Sequence, residues 1–171
     1  MHYSYCPICG TKLVDHPAGD DGMVPFCEPC GRYYFDSFPS AVLTMVVNEK
    51  NEICMELQKY LSDDYWNFVS GYITPGETAE EAAAREVKEE VGVTLDSLEY
   101  ISSYWYVPKG ILMLGFIGRC HGSELTLSKE VNAAKWVKVE DARPLFFPEG
   151  SGNLQYPLYE AFLHQLADKK D

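Results

Sequence analysis

The sequence predicts an α/β domain preceded by a small, metal-pinned cysteine ribbon. Three observations carry that reading. Two Cys-x2-Cys pairs stand near the N-terminus, strand-length apolar runs are interspersed with two helix-length amphipathic stretches, and one of those helices bears a row of glutamates. Hydrophobic residues make up 46% of the 171 and aromatics 13%, enough for a packed core, so a disordered chain is excluded. At roughly 150 residues per domain, the length allows one domain with an appendage. Against 26 Asp and Glu stand 14 Lys and Arg, a net charge of −12. That balance argues against broad nucleic-acid or membrane-surface binding, which need a basic footprint. No run approaches the ~18 apolar residues of a membrane span, and no basic stretch followed by an apolar one opens the chain. A cytoplasmic protein with no membrane partner is expected.

Residues 1–36 form the predicted ribbon. Cys6-Pro7-Ile8-Cys9 and Cys27-Glu28-Pro29-Cys30 are separated by 17 residues, a C-x2-C…C-x2-C zinc spacing. Gly10 and Gly31 follow the pairs and let the backbone turn so that two thiolates face one ion. Four thiolates close a tetrahedral shell, so Cys6, Cys9, Cys27 and Cys30 are assigned to a structural Zn2+. So short a segment cannot bury a sufficient core, and the metal supplies its folding energy. Cys54 and Cys120 sit singly in apolar runs and read as buried hydrophobes. His2, His16, His121 and His164 show no ligand spacing.

Residues 37–171 form the second predicted domain. Ala41–Val47 reads as a buried strand, 48–51 as a turn and Ile53–Leu57 as a return strand. A polar loop over 61–67 leads to a short strand at Phe68–Ile73. Thr78 with Glu81 makes a capping box for a helix over 79–91, and Gly92 sits where a left-handed C-cap is wanted. Strands follow at Glu99–Val107, Ile111–Arg119 and Ala134–Val139, and a helix at Leu154–Ala167.

The helix over 79–91 holds the chemistry. Glu86, Glu89 and Glu90 stand at i, i+3 and i+4, within an arc of about 100° beside the Ala83, Val87, Val91 stripe. Three like charges on one face repel. Mg2+ or Mn2+, which take carboxylate oxygens, would offset that repulsion. Three glutamates alone would read as a solvated face, but here they are fixed to further landmarks. Residues 71–93 follow G-x5-E-x7-R-E-x-x-E-E-x-G-x through Gly71, Glu77, Arg85, Glu86, Glu89, Glu90 and Gly92, with Val87 and Val93 aliphatic.

This segment resembles the signature of the Nudix hydrolases, which cleave a nucleoside diphosphate linked to another moiety. The resemblance implies an α/β/α sandwich and Mg2+ or Mn2+ held by Glu86, Glu89 and Glu90, with the carbonyl of Gly71 as a further ligand. It implies an orienting pair in Arg85 and Glu77. Glu89 is the first choice for general base, although the base varies in this superfamily.

A four-cysteine ribbon before such a domain is similar to the NADH pyrophosphatase family. The likeness extends to Arg32-Tyr33-Tyr34 with Pro39, and to Ser102, Trp105 and Pro108 of that family's aromatic–proline array, whose glutamine and two other prolines are not matched. Glu130 in Lys129-Glu130-Val131 resembles a fourth metal-binding glutamate. Tyr72 and Trp105 are the candidates to stack on a base. The implied substrate is a small dinucleotide such as NAD(H) or ADP-ribose, with release of AMP; a homodimer is also implied. The alternative is a non-catalytic nucleotide sensor whose ribbon binds a partner, but every glutamate of the motif is present, which favours catalysis. Lys12 and Arg32 oppose Asp15, Asp20, Asp21, Glu28 and Asp36, a net −3 that gives the ribbon no footprint for nucleic acid.

Overall fold

The structure is a computed structural model that describes residues 3–150 and 153–168, so His2 lies outside it. The chain separates into two compact units, Met1–Phe38 and Pro39–Asp171.

The first unit is a three-stranded antiparallel sheet of β1 (Val14–Pro17), β2 (Met23–Cys27) and β3 (Arg32–Tyr33). The cysteine pairs stand on tight turns. Gly10 N donates to Cys6 O at 2.9 Å and Gly31 N to Cys27 O at 2.8 Å, both glycines at positive φ (73° and 61°). Its buried cluster is Cys6, Leu13 and Cys27, with Tyr3, Cys30 and Tyr34 packed against it. The sequence reads this segment as loop-rich because β1 is exposed throughout and shows no apolar alternation.

The second unit is built on one mixed sheet, ordered β7-β8-β4-β5-β9, with β6 also paired to β4. These are β4 (Ser40–Val47), β5 (Glu52–Leu57), β6 (Val69–Tyr72), β7 (Ser97–Tyr106), β8 (Ile111–Arg119) and β9 (Ala133–Lys138). β4 lies parallel to β8 along its whole length and antiparallel to β6 over Ala41–Thr44. Both faces of β4 are covered, hence its unbroken apolar run. Leu43, Met45 and Val47 join Leu158 and Phe162 of α3 (Gln155–Asp168) in one core cluster. Val46 packs with Val87 and Val91 of α1 (Ala79–Val91), and Val42 with Ala82 and Ala83. The result is the α/β/α arrangement. A short α2 (Val139–Ala142) extends β9.

The capping box is formed as the sequence predicts. Thr78 Oγ1 accepts from Glu81 N, Glu81 accepts from Thr78 N, and Gly92 takes φ 76° at the C-cap. β7 carries a bulge between Tyr100 and Ser102. Such an insertion resets which side chains face which side.

Candidate active site

Helix α1 presents the three glutamates at its C-terminal half, and the chain after it delivers the fourth. The last carbonyls of a helix lack intrahelical partners. Here Thr126 N donates to Val91 O at 2.9 Å and Ser128 N to Glu90 O at 3.0 Å. Ser128 Oγ then accepts from Glu130 N at 3.2 Å. That fastening sets Glu130 beside the helix: Glu86, Glu89, Glu90, Ser128, Lys129 and Glu130 line one cavity of about 290 Å3. A larger cavity of about 750 Å3 shares Glu86, Glu90 and Glu130 and continues past Gly71 and Tyr72 to Tyr106. Trp105 is not among its lining residues. Past the bulge Ser103 and Trp105 share one exposed face, Trp105 being 49% exposed, while its neighbour Tyr106 lines the cavity.

Arg85 ties the approach loop to the helix. Its Nε and Nη2 donate to the two oxygens of Glu77 at 2.9 and 2.7 Å, Nη1 to Glu86 at 2.8 Å and Glu89 at 3.1 Å, and Nη2 to Tyr72 O at 3.1 Å. The two-pronged contact suits the planar guanidinium. Arg85, with the backbone and hydroxyl of Thr74, holds the Glu77 carboxyl down at about 2.

Gly71 meets a steric requirement. A Cβ there would overlap the Glu86 carboxylate, so only glycine lets β6 lie against that side chain. Gly71→Ala is expected to swing the carboxylate aside and lower kcat by about 10–100-fold, as misplaced metal-site groups do. Thermal unfolding is expected to move little, because the clash falls on the end of a flexible side chain.

The carboxylates sit in an environment that disfavours their charge. Burial raises Glu86 above the ordinary carboxylate range. Burial and then Glu86 push Glu90 to about 7. Glu90 Oε1 accepts from Gln58 Nε2 at 2.8 Å, but its Oε2 is buried without a partner among the described residues. Behind it stands Glu56 of β5, fully buried and pushed to about 10 by burial and by Glu90. Glu56 lies outside the motif, and its one signal in the sequence is a lone acid within an apolar strand. The orphaned oxygens and all-oxygen donor set fit a hard divalent cation.

A pH dependence follows. These carboxyls bind protons more tightly folded than unfolded, so stability falls as pH rises from about 4.5 through about 7 toward about 10. Without metal, the melting temperature of this unit is expected to be lower near pH 8.5 than near pH 6. Added Mg2+ is expected to raise it most at the higher pH; thermal melts at both values check this.

In the first unit the four cysteine sulfurs lie within 4.8 Å of one another. Cys9 and Cys27 Sγ are 3.5 Å apart, Cys6 and Cys30 Sγ 3.9 Å. Contacts with Cys9 and Cys27 push the Cys30 thiol up to about 12. Four converging sulfurs fit a tetrahedral, thiolate-loving cation.

The NUDIX domain profile matches residues 37–160. A Pseudomonas putida protein named NAD-capped RNA hydrolase NudC is 33% identical over 157 residues, covering 90% of this chain and 54% of its own. The chain thus spans about half the length of the curated relatives it matches. A Nitrosomonas europaea NUDIX hydrolase has the same fold, with a TM-score of 0.67 at 15% identity over 96% of this chain and 93% of its own. The NUDIX domain of Shewanella oneidensis NrtR, solved with ADP ribose, gives 0.63 at 15% identity over 77% and 90%. The chain belongs to the Nudix family.

Proposed function

We propose that this chain hydrolyses the diphosphate bond of a nucleoside diphosphate linked to a second moiety, such as NAD(H) or ADP-ribose, and releases AMP. The observation that carries this reading is the meeting of Glu86, Glu89, Glu90 and Glu130 in one cleft that opens into a cavity of about 750 Å3. That volume lies within the range of small-molecule sites. Residues 37–171 form the catalytic domain and residues 1–36 the ribbon, with a structural Zn2+ on Cys6, Cys9, Cys27 and Cys30.

Glu86, Glu89, Glu90 and Glu130 hold Mg2+ or Mn2+, with the carbonyl of Gly71 as a further donor. A cation held there would neutralise phosphate oxygens and lower the pKa of an attacking water. Arg85 and Glu77 keep the helix and the approach loop in register. Glu89, the most exposed of the three on α1, takes the proton from the water and returns it to solvent. Tyr72 and Tyr106 offer flat faces for a base or nicotinamide.

The relatives' name brings a second substrate, NAD-capped RNA. The ribbon's net charge of −3 favours the free dinucleotide. One panel decides: NADH, NAD+, ADP-ribose and a 5′-NAD-capped oligoribonucleotide, each incubated with Mg2+ or Mn2+ and the products weighed by mass spectrometry. AMP from the free dinucleotides supports the proposal. Turnover of the capped oligonucleotide alone would move the substrate to RNA, and binding without turnover would make the chain a sensor.

A further inference from the structure

Glu56 lies outside the motif at residues 71–93, and its surroundings give it no structural occupation. It is fully buried, and neither carboxylate oxygen has a hydrogen-bond partner among the described residues. Buried carboxylates are ordinarily paired or hydrogen-bonded, because stranding one away from water is costly. Strand alternation says where it points. Ile53 and Met55 of β5 pack in the cluster shared with α3, whereas Cys54 packs with Val87 and Val91 of α1. Glu56 and Gln58 therefore face α1, and Gln58 reaches Glu90 at 2.8 Å. Glu90 brings its own buried, unpartnered oxygen to the same space. Among the described residues no lysine or arginine pairs with either group; Arg85 goes to Glu77, Glu86 and Glu89.

We propose that Glu56 is a metal ligand additional to the motif, which with Glu90 holds a divalent cation, Mg2+ or Mn2+, between β5 and α1. The inference rests on the reading that α1 carries the metal. Three carboxylate oxygens without donors are what a hard cation takes, and a cation there relieves the like-charge crowding of Glu56, Glu90 and Glu86. The site lies behind the open cleft, on the sheet side of the helix.

The competing role for Glu56 is a protonated acid that donates to Glu90. Glu56→Gln separates the two, since the amide keeps a donor of the same shape and loses the anionic ligand. The measurement is Mn2+ binding to the full chain, read from the free-Mn2+ electron paramagnetic resonance signal, with metal-free melting curves as the fold control. Glu56→Gln is expected to lose one class of Mn2+ sites, or to weaken it at least tenfold, while the metal-free variant melts no lower than the wild type. Glu90→Gln is expected to do the same. Glu56→Ala, which carries neither donor nor ligand, must reproduce the loss and stands in if the glutamine variant does not fold. A wild-type isotherm for the Glu56 variants, with weakened binding in Glu90→Gln, overturns this proposal and leaves metal on α1 intact. No Mn2+ bound by the wild type overturns both.

Discussion

Glu86→Gln is expected to lower kcat for dinucleotide hydrolysis by about 10³-fold and to leave the metal-free fold as stable as before or more so. The two effects have one origin. The Glu86 carboxylate lies against the backbone of Gly71, at the junction of the two cavities. On the proposed reading its negative charge serves a cation; burial disfavours that charge, and the neighbouring Glu90 is raised by it. The amide removes that repulsion and fills the same space. Arg85 loses one charged partner but keeps both bonds to Glu77, so the loop stays fastened to the helix. A catalytic cation contributes several kcal/mol to the transition state, and about 4 kcal/mol corresponds to about 10³ in rate. Steady-state kinetics with Mn2+ alongside thermal melts reads both sides. A wild-type rate would remove Glu86 from the site. A lost rate with a lowered melting temperature would make its role structural.

The legible parts of this molecule are those where local physics and tertiary structure agree. The capping box at Thr78, the helix over Ala79–Val91 and the left-handed Gly92 are each written in a few neighbouring residues. β4 is legible because both its faces are buried. The glutamate row is legible because helical spacing alone puts it on one side. Glu130 is different. No periodicity places a loop residue, and only the resemblance pointed to it; in the structure the helix C-terminus supplies the reason, by drawing the chain at Thr126 and Ser128 onto its free carbonyls. Which of Trp105 and Tyr106 lines the cavity depends on a bulge that the sequence does not announce. Glu56 is hidden for a third reason. One acid in a strand reads as an exposed position until the helix that covers that face is known.

Replacing Cys27 with serine, or stripping metal with a chelator, is expected to unfold the first unit and leave Pro39–Asp171 folded. Residues 3–38 have few other sources of stability. Their buried cluster consists of Cys6, Leu13 and Cys27, two of which are the proposed ligands. β1 is exposed throughout and β3 has only two residues. Hydrophobic burial on that scale does not offset the conformational entropy of some forty residues. Structural zinc contributes about 10–16 kcal/mol in comparable small folds, so its loss exceeds anything the remaining contacts supply. The sulfur geometry points the same way. At 3.5 and 3.9 Å the thiols crowd one another, and contacts with Cys9 and Cys27 push the Cys30 thiol up. Hydrogen exchange followed by mass spectrometry reads the two units separately, and elemental analysis counts the zinc. In the zinc-free protein the amides of Gly10 and Gly31, bonded to Cys6 O and Cys27 O, are expected to exchange at the rate of an unfolded chain. Protection retained there without metal would mean that the sheet and Leu13 suffice, and that the four cysteines serve something other than folding.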